Sequence, residues 1–186
     1  DAEAIENLRR IDTLIVDKTG TLTEGKPAFR AVRSAGGVTE DELLRLAASL
    51  DQASEHPLAE AIVAEARRRS LPLDQPAGFE SSTGIGVRGR VGEKALAVGN
   101  TALMQQLGVD TAPLAGEAEA LRRDGASVMY VAADGALAGL LAVADPIKAS
   151  TPDAIGSLRA AGLRIVMATG DGVTTAKAVA RQLGID

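Results

Sequence analysis

Two short apolar runs stand apart from everything between them. Ile11 to Val16 and Leu163 to Met167 are rich in β-branched and aliphatic residues, which predicts buried strands. Each stops abruptly in polar backbone, at Asp17-Lys18-Thr19-Gly20-Thr21-Leu22-Thr23 and at Thr169-Gly170-Asp171. A short amphipathic helix or lead-in, Ala2 to Arg10 with Ile5 and Leu8 three apart, precedes the first strand. Helical spacing flanks the second, with a helix from Thr151, read as its cap, to Ala161 and another from about Thr174 to Leu183.

Between them the pattern is mixed. Phe29 to Val32 reads as a strand and Gly36-Gly37 as a turn. Thr39 with Glu42 forms a capping box for a helix through Leu50, and Pro57 opens a helix to Arg69. From Gly78 to Val98 the glycines, Val87, Val91 and the run Ala95 to Val98 predict antiparallel strands. Asn100 caps a short helix to Leu107, and Leu114 to Arg123 is another. Asp134-Gly135 between Ser127–Val131 and Leu137–Val143 is a hairpin signal. The expected fold is therefore a discontinuous α/β domain, residues 1–25 and 144–186, interrupted by an inserted α+β domain with an antiparallel sheet, residues 26–143.

Composition narrows the chemistry. Hydrophobic residues make up 46% of the 186 positions but aromatics only 2%, so the core must be aliphatic and closely packed. A net charge of −5 argues against a nucleic-acid surface. The basic run Arg67-Arg68-Arg69 reads as a solvated helix end. With no cysteine and one histidine, disulfides, thiolate sites and His-rich zinc sites are excluded. The longest apolar run, Ala136 to Ala144, is too short to span a bilayer as a helix. No signal peptide is visible, and a start at Asp1 is expected of a piece of something longer.

In an open α/β sheet ligands sit at strand ends. A carboxylate there, Asp17, can attack phosphorus and form an acyl-phosphate. Lys18 adds positive charge, and the Gly20 turn offers backbone N–H groups to phosphate oxygens. Thr19, two residues on, cannot serve as general acid–base for hydrolysis, which suits an enzyme that holds its phosphorylated state. Thr169-Gly170-Asp171, on a neighbouring parallel strand, would bring a hydroxyl beside it. Taken singly, both segments are also compatible with ordinary turns. Likewise Lys148 reads equally as a phosphate contact or a solvated hinge lysine, and His56 as a site residue or a helix cap.

The string from Asp17 to Thr23 resembles the phosphorylation motif of P-type ATPases, within the haloacid dehalogenase-like superfamily. Ser54-Glu55-His56-Pro57-Leu58, Thr83-Gly84-Ile85-Gly86-Val87 and Gly99-Asn100 resemble the nucleotide-binding domain of the heavy-metal-transporting members. The resemblance implies a partial Rossmann-like phosphorylation domain and an inserted domain that binds ATP or ADP. It implies that Asp17 accepts the γ-phosphate, that Thr169 contacts the transferred group, that Asp171 fixes the site, and that Lys148 approaches the nucleotide phosphates. It implies that His56, beside Glu55, orients the adenine, that Gly84, Gly86 and Val87 let backbone approach it, and that Gly99-Asn100 borders the pocket. Asp51 stands where the family commonly has a Glu near the adenine amino group, and Gly172 where it often has Asn. Mg²⁺ would be held in part by Asp17 and Thr19, with the remaining acidic ligand and a Lys expected past Asp186, so this stretch is expected to bind ATP without full turnover. Nucleotide affinity is expected to be weak, about −4 to −8 kcal/mol.

The implied partners are ATP or ADP and the membrane helices and dephosphorylating domain of a transporter that exports a heavy metal, Cu⁺ most commonly. This stretch would stand on the cytoplasmic face, not inserted in the membrane. Two other readings stay open: a haloacid dehalogenase-like phosphatase, which Thr19 disfavours, and a non-catalytic nucleotide-binding module.

Overall fold

The computed structural model describes residues 11–185; the expected lead-in helix over Ala2 to Arg10 lies outside them. Two sheets organise the chain. In the first, β1 (Thr13–Asp17) and β8 (Arg164–Ala168) pair in parallel, from Thr13 opposite Arg164 to Asp17 opposite Ala168. The second is a six-stranded antiparallel sheet. Its strands are β2 (Ala28–Ser34), β3 (Ala77–Ser82), β4 (Gly86–Val91), β5 (Lys94–Gly99), β6 (Ser127–Ala133) and β7 (Ala136–Ala144), in the order β2-β7-β6-β5-β4-β3.

Helices cover both faces of the larger sheet. On one lie α1 (Glu40–Asp51) and α2 (Pro57–Arg68), where Leu43, Leu44, Leu50 and Ile62 meet Val87, Val98, Val131 and Leu141. On the other, α3 (Thr101–Gln106) and α4 (Ala112–Arg123) bring Leu103, Met104, Leu114 and Ala118 against Val128, Tyr130 and Leu140. Burial on two faces explains why β7 is an unbroken apolar run. At Gly139 a Cβ would lie 2.2 Å from the Arg33 carbonyl oxygen, so the close packing expected of an aliphatic, Gly-rich core is realised there. The Asp134-Gly135 turn has φ of 50° and 79°, as a two-residue hairpin of this hand requires.

The small sheet is covered differently. A third core joins Leu14, Val16, Leu22 and Ile165 to Ile155 of α5 (Thr151–Ala160) and to Val179 and Leu183 of α6 (Val173–Leu183). Both helices pack on one face, so β1 is not the fully buried strand its composition predicts: Ile15, pointing the other way, is 69% exposed. Three local expectations also change. Ser150, not Thr151, occupies the cap position of α5, and the buried Thr151 hydroxyl donates to the Leu22 carbonyl at 2.8 Å. Thr39 accepts from Glu42 N at 3.2 Å, but the Glu42 carboxylate binds Arg45 instead of returning to the cap. The basic run is not simply solvated: Arg68 and Arg69 both hold Glu65 at 2.7 Å, and Arg69 also reaches Asp41 and lies over the Phe29 ring. Arg68, with Arg69, pulls the Glu65 carboxyl down to about 2.

Candidate functional site

Parallel pairing of β1 and β8 carries both strand-end loops to the same edge. Asp17 ends β1 opposite Ala168, so the wide turn Lys18–Leu22 and the segment Thr169–Gly172 leave side by side. Asp17, Thr19 and Gly20 are exposed. Gly20 has φ of +75° with nothing within 4 Å of where a Cβ would stand, so the turn needs glycine and leaves room above it.

Lys18 does not face that open space. Its side chain is 9% exposed, and Nζ lies 2.6 Å from Asp171 Oδ2. Thr169 Oγ1 donates to the same oxygen at 3.2 Å and accepts from Asp171 N at 3.1 Å. The other carboxylate oxygen accepts from Ser127 Oγ, at the start of β6, at 3.4 Å. Asp171 is thus the hub of the edge, and Lys18 holds the hub in place of adding charge at the open turn. Lys148 does come to this edge, where its Nζ donates to the Gly20 carbonyl at 2.6 Å.

Two chain crossings connect the sheets here, and they are clasped together. Thr23, fully buried, has its hydroxyl between Asp145 Oδ2 at 2.5 Å and the Lys18 carbonyl at 3.0 Å. Asp145 Oδ1 accepts from Lys26 N at 3.2 Å, and Glu24 N donates to the Pro146 carbonyl at 2.8 Å. Sequence reasoning gave no role to Thr23, Asp145 or Ser127. Thr23 ends the string that begins at Asp17 and Asp145 stands three residues before Lys148, whereas Ser127 carries no local signal, because only the docking of β6 beside the loop brings it in.

The second group of predicted residues lies where α1 turns into α2. His56 occupies the cap position of α2, its Nδ1 accepting from Leu58 N at 3.2 Å while the imidazole stays exposed. Glu55 is exposed beside it. Asp51, the last residue of α1, is only 4% exposed, and its carboxyl makes no hydrogen bond or ion pair among the described residues. Burial alone pushes that carboxyl up to about 7. It borders a cavity of about 670 Å³ whose walls include Gly25 to Pro27, Ser54, Glu55 and Arg67.

The third group is on β4, β5 and α3. Gly84 has φ of +72° and open space over its Cα, and its carbonyl accepts from Asn100 Nδ2 at 2.8 Å. Asn100 Oδ1 caps α3 by accepting from Leu103 N at 3.1 Å. Gly86 and Gly99 face each other across the ladder, where a Cβ on Gly86 would lie 2.4 Å from the Val98 carbonyl and one on Gly99 2.4 Å from the Ile85 carbonyl. These two glycines are required by the protein's own packing, so of the Gly-x-Gly pair only Gly84 is left open to a ligand. Val87 is buried in the core beneath α1 and α2, leaving only its backbone for contact. Since α1 packs across β4 and β5, the second and third groups share one body, although neither His56 nor any residue of the third group lines the cavity at Asp51.

A nucleotide fits what these groups lack: a buried carboxyl without a partner and an exposed turn with no side chain over it. Mg²⁺ fits in part. Asp17 and Thr19 are exposed and offer a carboxylate and a carbonyl, hard oxygen donors of the kind suited to it, and no set of three or more His, Cys, Asp or Glu gathers around a possible metal position among the described residues. No helix among them is long and apolar enough to cross a membrane.

Residues 11–186 match the family of haloacid dehalogenase-like hydrolases. The whole chain aligns at 56% identity with a copper-transporting P-type ATPase of Rhizobium leguminosarum bv. viciae, covering 22% of that protein. The chain thus spans about a fifth of the length of this curated relative. In structure it resembles a zinc-transporting PIB-type ATPase in its E2·Pi state, with a TM-score of 0.72 and 33% identity over 95% of this chain and 28% of that one. It also resembles the catalytic domain of a CPx-ATPase studied for its conformational changes upon nucleotide binding, with a TM-score of 0.71 and 25% identity over 100% of this chain and 65% of that one.

Proposed function

The chain belongs to the haloacid dehalogenase-like hydrolases, and on that premise we propose that it is the nucleotide-binding and phosphorylation region of a P-type ATPase that exports a heavy metal, Cu⁺ foremost. In this reading residues 1–25 and 144–186 form the phosphorylation domain and 26–143 the nucleotide-binding domain, both on the cytoplasmic face of a membrane. The observation that carries it is the parallel pairing of β1 with β8, which sets an exposed Asp17 beside Thr169 and the Lys18–Asp171 pair. The 56% identity to a copper-transporting P-type ATPase supports the same reading.

Asp17 is the nucleophile. One of its carboxylate oxygens attacks the γ-phosphorus of ATP, the bond from that phosphorus to the β,γ-bridging oxygen breaks, and ADP departs with the electron pair. The Thr169 hydroxyl, turning its proton from Asp171 Oδ2 to the phosphoryl group, orients a transferred oxygen, whereas the Gly20 N–H is held by Thr23 Oγ1 at 3.3 Å. Gly170 keeps the segment between Thr169 and Asp171 free of a side chain. Lys18 and Asp171 fix both loops, and Lys148 holds the Gly20 carbonyl. When bound by Asp17 and the Thr19 carbonyl, Mg²⁺ supplies charge neutralisation at the phosphoryl oxygens. At the other body, Asp51, Glu55, His56, Gly84 and Asn100 receive the base, while Gly86, Val87 and Gly99 shape the strand pair that carries it. Thr19, with no acid–base group, favours a phosphoenzyme that persists over a phosphatase.

The test is to graft this chain in place of the corresponding segment of the Rhizobium relative and to incubate the chimera with γ-labelled ATP. Hydroxylamine-sensitive label that is lost in Asp17→Asn is the expected result. A chimera that folds and binds nucleotide but takes up no label would leave a nucleotide-binding module only, and release of phosphate from a generic aryl phosphate would favour the phosphatase.

A further inference from the structure

The two sheets meet at a second place besides the crossings clasped by Thr23 and Asp145. It is the corner Gly125–Ser127, where α4 passes into β6. The buried Thr175 hydroxyl of α6 donates to the Ala126 carbonyl at 2.8 Å, and Thr174 Oγ1 donates to Glu119 of α4 at 3.2 Å. Ser127, the residue after Ala126, extends its hydroxyl to Asp171 Oδ1 at 3.4 Å. Docking of the corner on α6 therefore brings a donor from the six-stranded sheet to the hub of the two-stranded one.

The two oxygens of Asp171 are held unequally. Lys18 Nζ and the Thr169 hydroxyl share Oδ2, whereas Oδ1 has Ser127 as its one partner among the described residues. Once the Thr169 proton turns to a phosphoryl oxygen, Oδ2 keeps Lys18 only. A carboxylate held through one oxygen can swing about its Cβ–Cγ bond and take the Lys18 charge with it. A donor on the other oxygen fixes its plane. At 3.4 Å the Ser127 contact is longer than the usual O–H···O bond, and contacts of this kind tighten when a site is loaded.

We infer that Ser127 is a positioning residue for phosphoryl transfer: it holds Asp171 Oδ1 while Thr169 serves the phosphoryl group, and it does so only while the α4–β6 corner is docked on Thr175. This rests on the phosphoryl-transfer reading above and goes beyond it, because the speed of phosphorylation then depends on a contact between the two proposed domains. Ser127 acts through Asp171, so its loss should change the rate and leave the affinity for ATP alone.

In the chimera with the Rhizobium relative, formation of hydroxylamine-sensitive label is followed by rapid quench over a range of ATP concentrations, which separates the maximal rate from the half-saturating concentration. Ser127→Ala is expected to lower the maximal rate about tenfold and to leave the half-saturating concentration within about twofold. Ser127→Thr, which restores the hydroxyl, should return the rate to within about twofold of the wild type. Thr175→Val undocks the corner but keeps Ser127; it should slow the step too, and adding Ser127→Ala to it should cost little more, because both remove the same contact. In NMR spectra of this chain without nucleotide, Ser127→Ala should shift the Thr169 and Asp171 amides and the Lys18 ammonium group, a readout independent of activity. Ser127→Ala at the wild-type rate, equal slowing by the Ala and Thr variants, or an effect on the half-saturating concentration alone overturns the inference while leaving phosphorylation of Asp17 intact. Losses that multiply in the double variant, or unmoved Thr169, Asp171 and Lys18 signals, overturn it as well. A chimera with Ser127 in place that binds ATP and takes up no label overturns the phosphoryl-transfer reading, and this inference with it.

Discussion

Lys18, Asp171, Thr169, Asp145 and Lys148 around the exposed Asp17 are all held by protein partners at 2.5 to 3.2 Å, whereas the Asp51 carboxyl at the α1–α2 turn has none among the described residues. The first region is wired before any substrate arrives. Lys18 and Asp171 neutralise each other, and the Asp17 carboxylate, the proposed nucleophile, stays exposed. The second is built the opposite way, with a buried acid left short of hydrogen bonds and a glycine turn left open. The contrast teaches where each region spends its free energy. Phosphoryl transfer gains from groups that need no rearrangement at the moment of reaction, while base recognition gains from groups that only the right ligand satisfies.

The largest effect should come from titrating the unsatisfied side. Asp51 has its folded value raised from 3.8 to about 7, so the folded state binds its proton more tightly than the unfolded state does. Its contribution to stability is then fully present below about pH 4 and is lost as pH rises through about 7, a total of about 4 kcal/mol. Glu65, lowered to about 2, works with the opposite sign, and its stability is lost only as pH falls below the ordinary carboxylate range. Urea unfolding at about pH 5 and about pH 8 should show Asp51→Asn gaining on the wild type at the higher pH. Parallel curves for the two proteins would mean that Asp51 has a partner or solvent access that neutralises its burial.

Breaking the pre-wired side should come next. Lys18→Met removes the cation from a pair whose side chains are 9% and 18% exposed, leaving Asp171 to two hydroxyl donors. A loss of about 3 kcal/mol in stability is expected, read from the denaturant midpoint. Unchanged stability would show that Thr169 and Ser127 suffice to hold Asp171.

The smallest effect sharpens the comparison at His56, which both caps α2 and is proposed to meet the base. His56→Ala loses the cap and should cost about 1 kcal/mol, whereas His56→Asn keeps a capping oxygen and should stay within about 0.5 kcal/mol of the wild type. Both should bind ADP about tenfold more weakly. An Asn variant that retains wild-type affinity would reduce the imidazole to a cap.

Much of this was legible in the sequence, because local pattern encodes periodicity and turn chemistry well. The strands at the two apolar runs, the Asp134-Gly135 hairpin and the Asn100 cap all appear, although β1 is buried on one face only. What the pattern does not encode is which surfaces find a partner. Ile15 looks as apolar as Val16, yet α5 and α6 cover one side of β1 only. Gly86 and Gly99 look like room left for a ligand, yet each is there to let the other strand approach. Thr151 has the composition of a cap, but its hydroxyl serves Leu22, which is distant in sequence. Ser127 enters the Asp171 hub for the same reason: the contact is tertiary and leaves no local mark.

The most direct test of the account is a titration of the ¹⁵N-labelled chain with ATP, first without and then with Mg²⁺, followed residue by residue in NMR spectra. The account predicts that without the metal the shifts fall on Asp51, Glu55, His56, Gly84 and Asn100, the groups left unsatisfied or open. Adding Mg²⁺ should extend them to Asp17, Thr19 and Gly20. Shifts confined to the β1–β8 loops, or no saturable shifts at the α1–α2 turn, would contradict it.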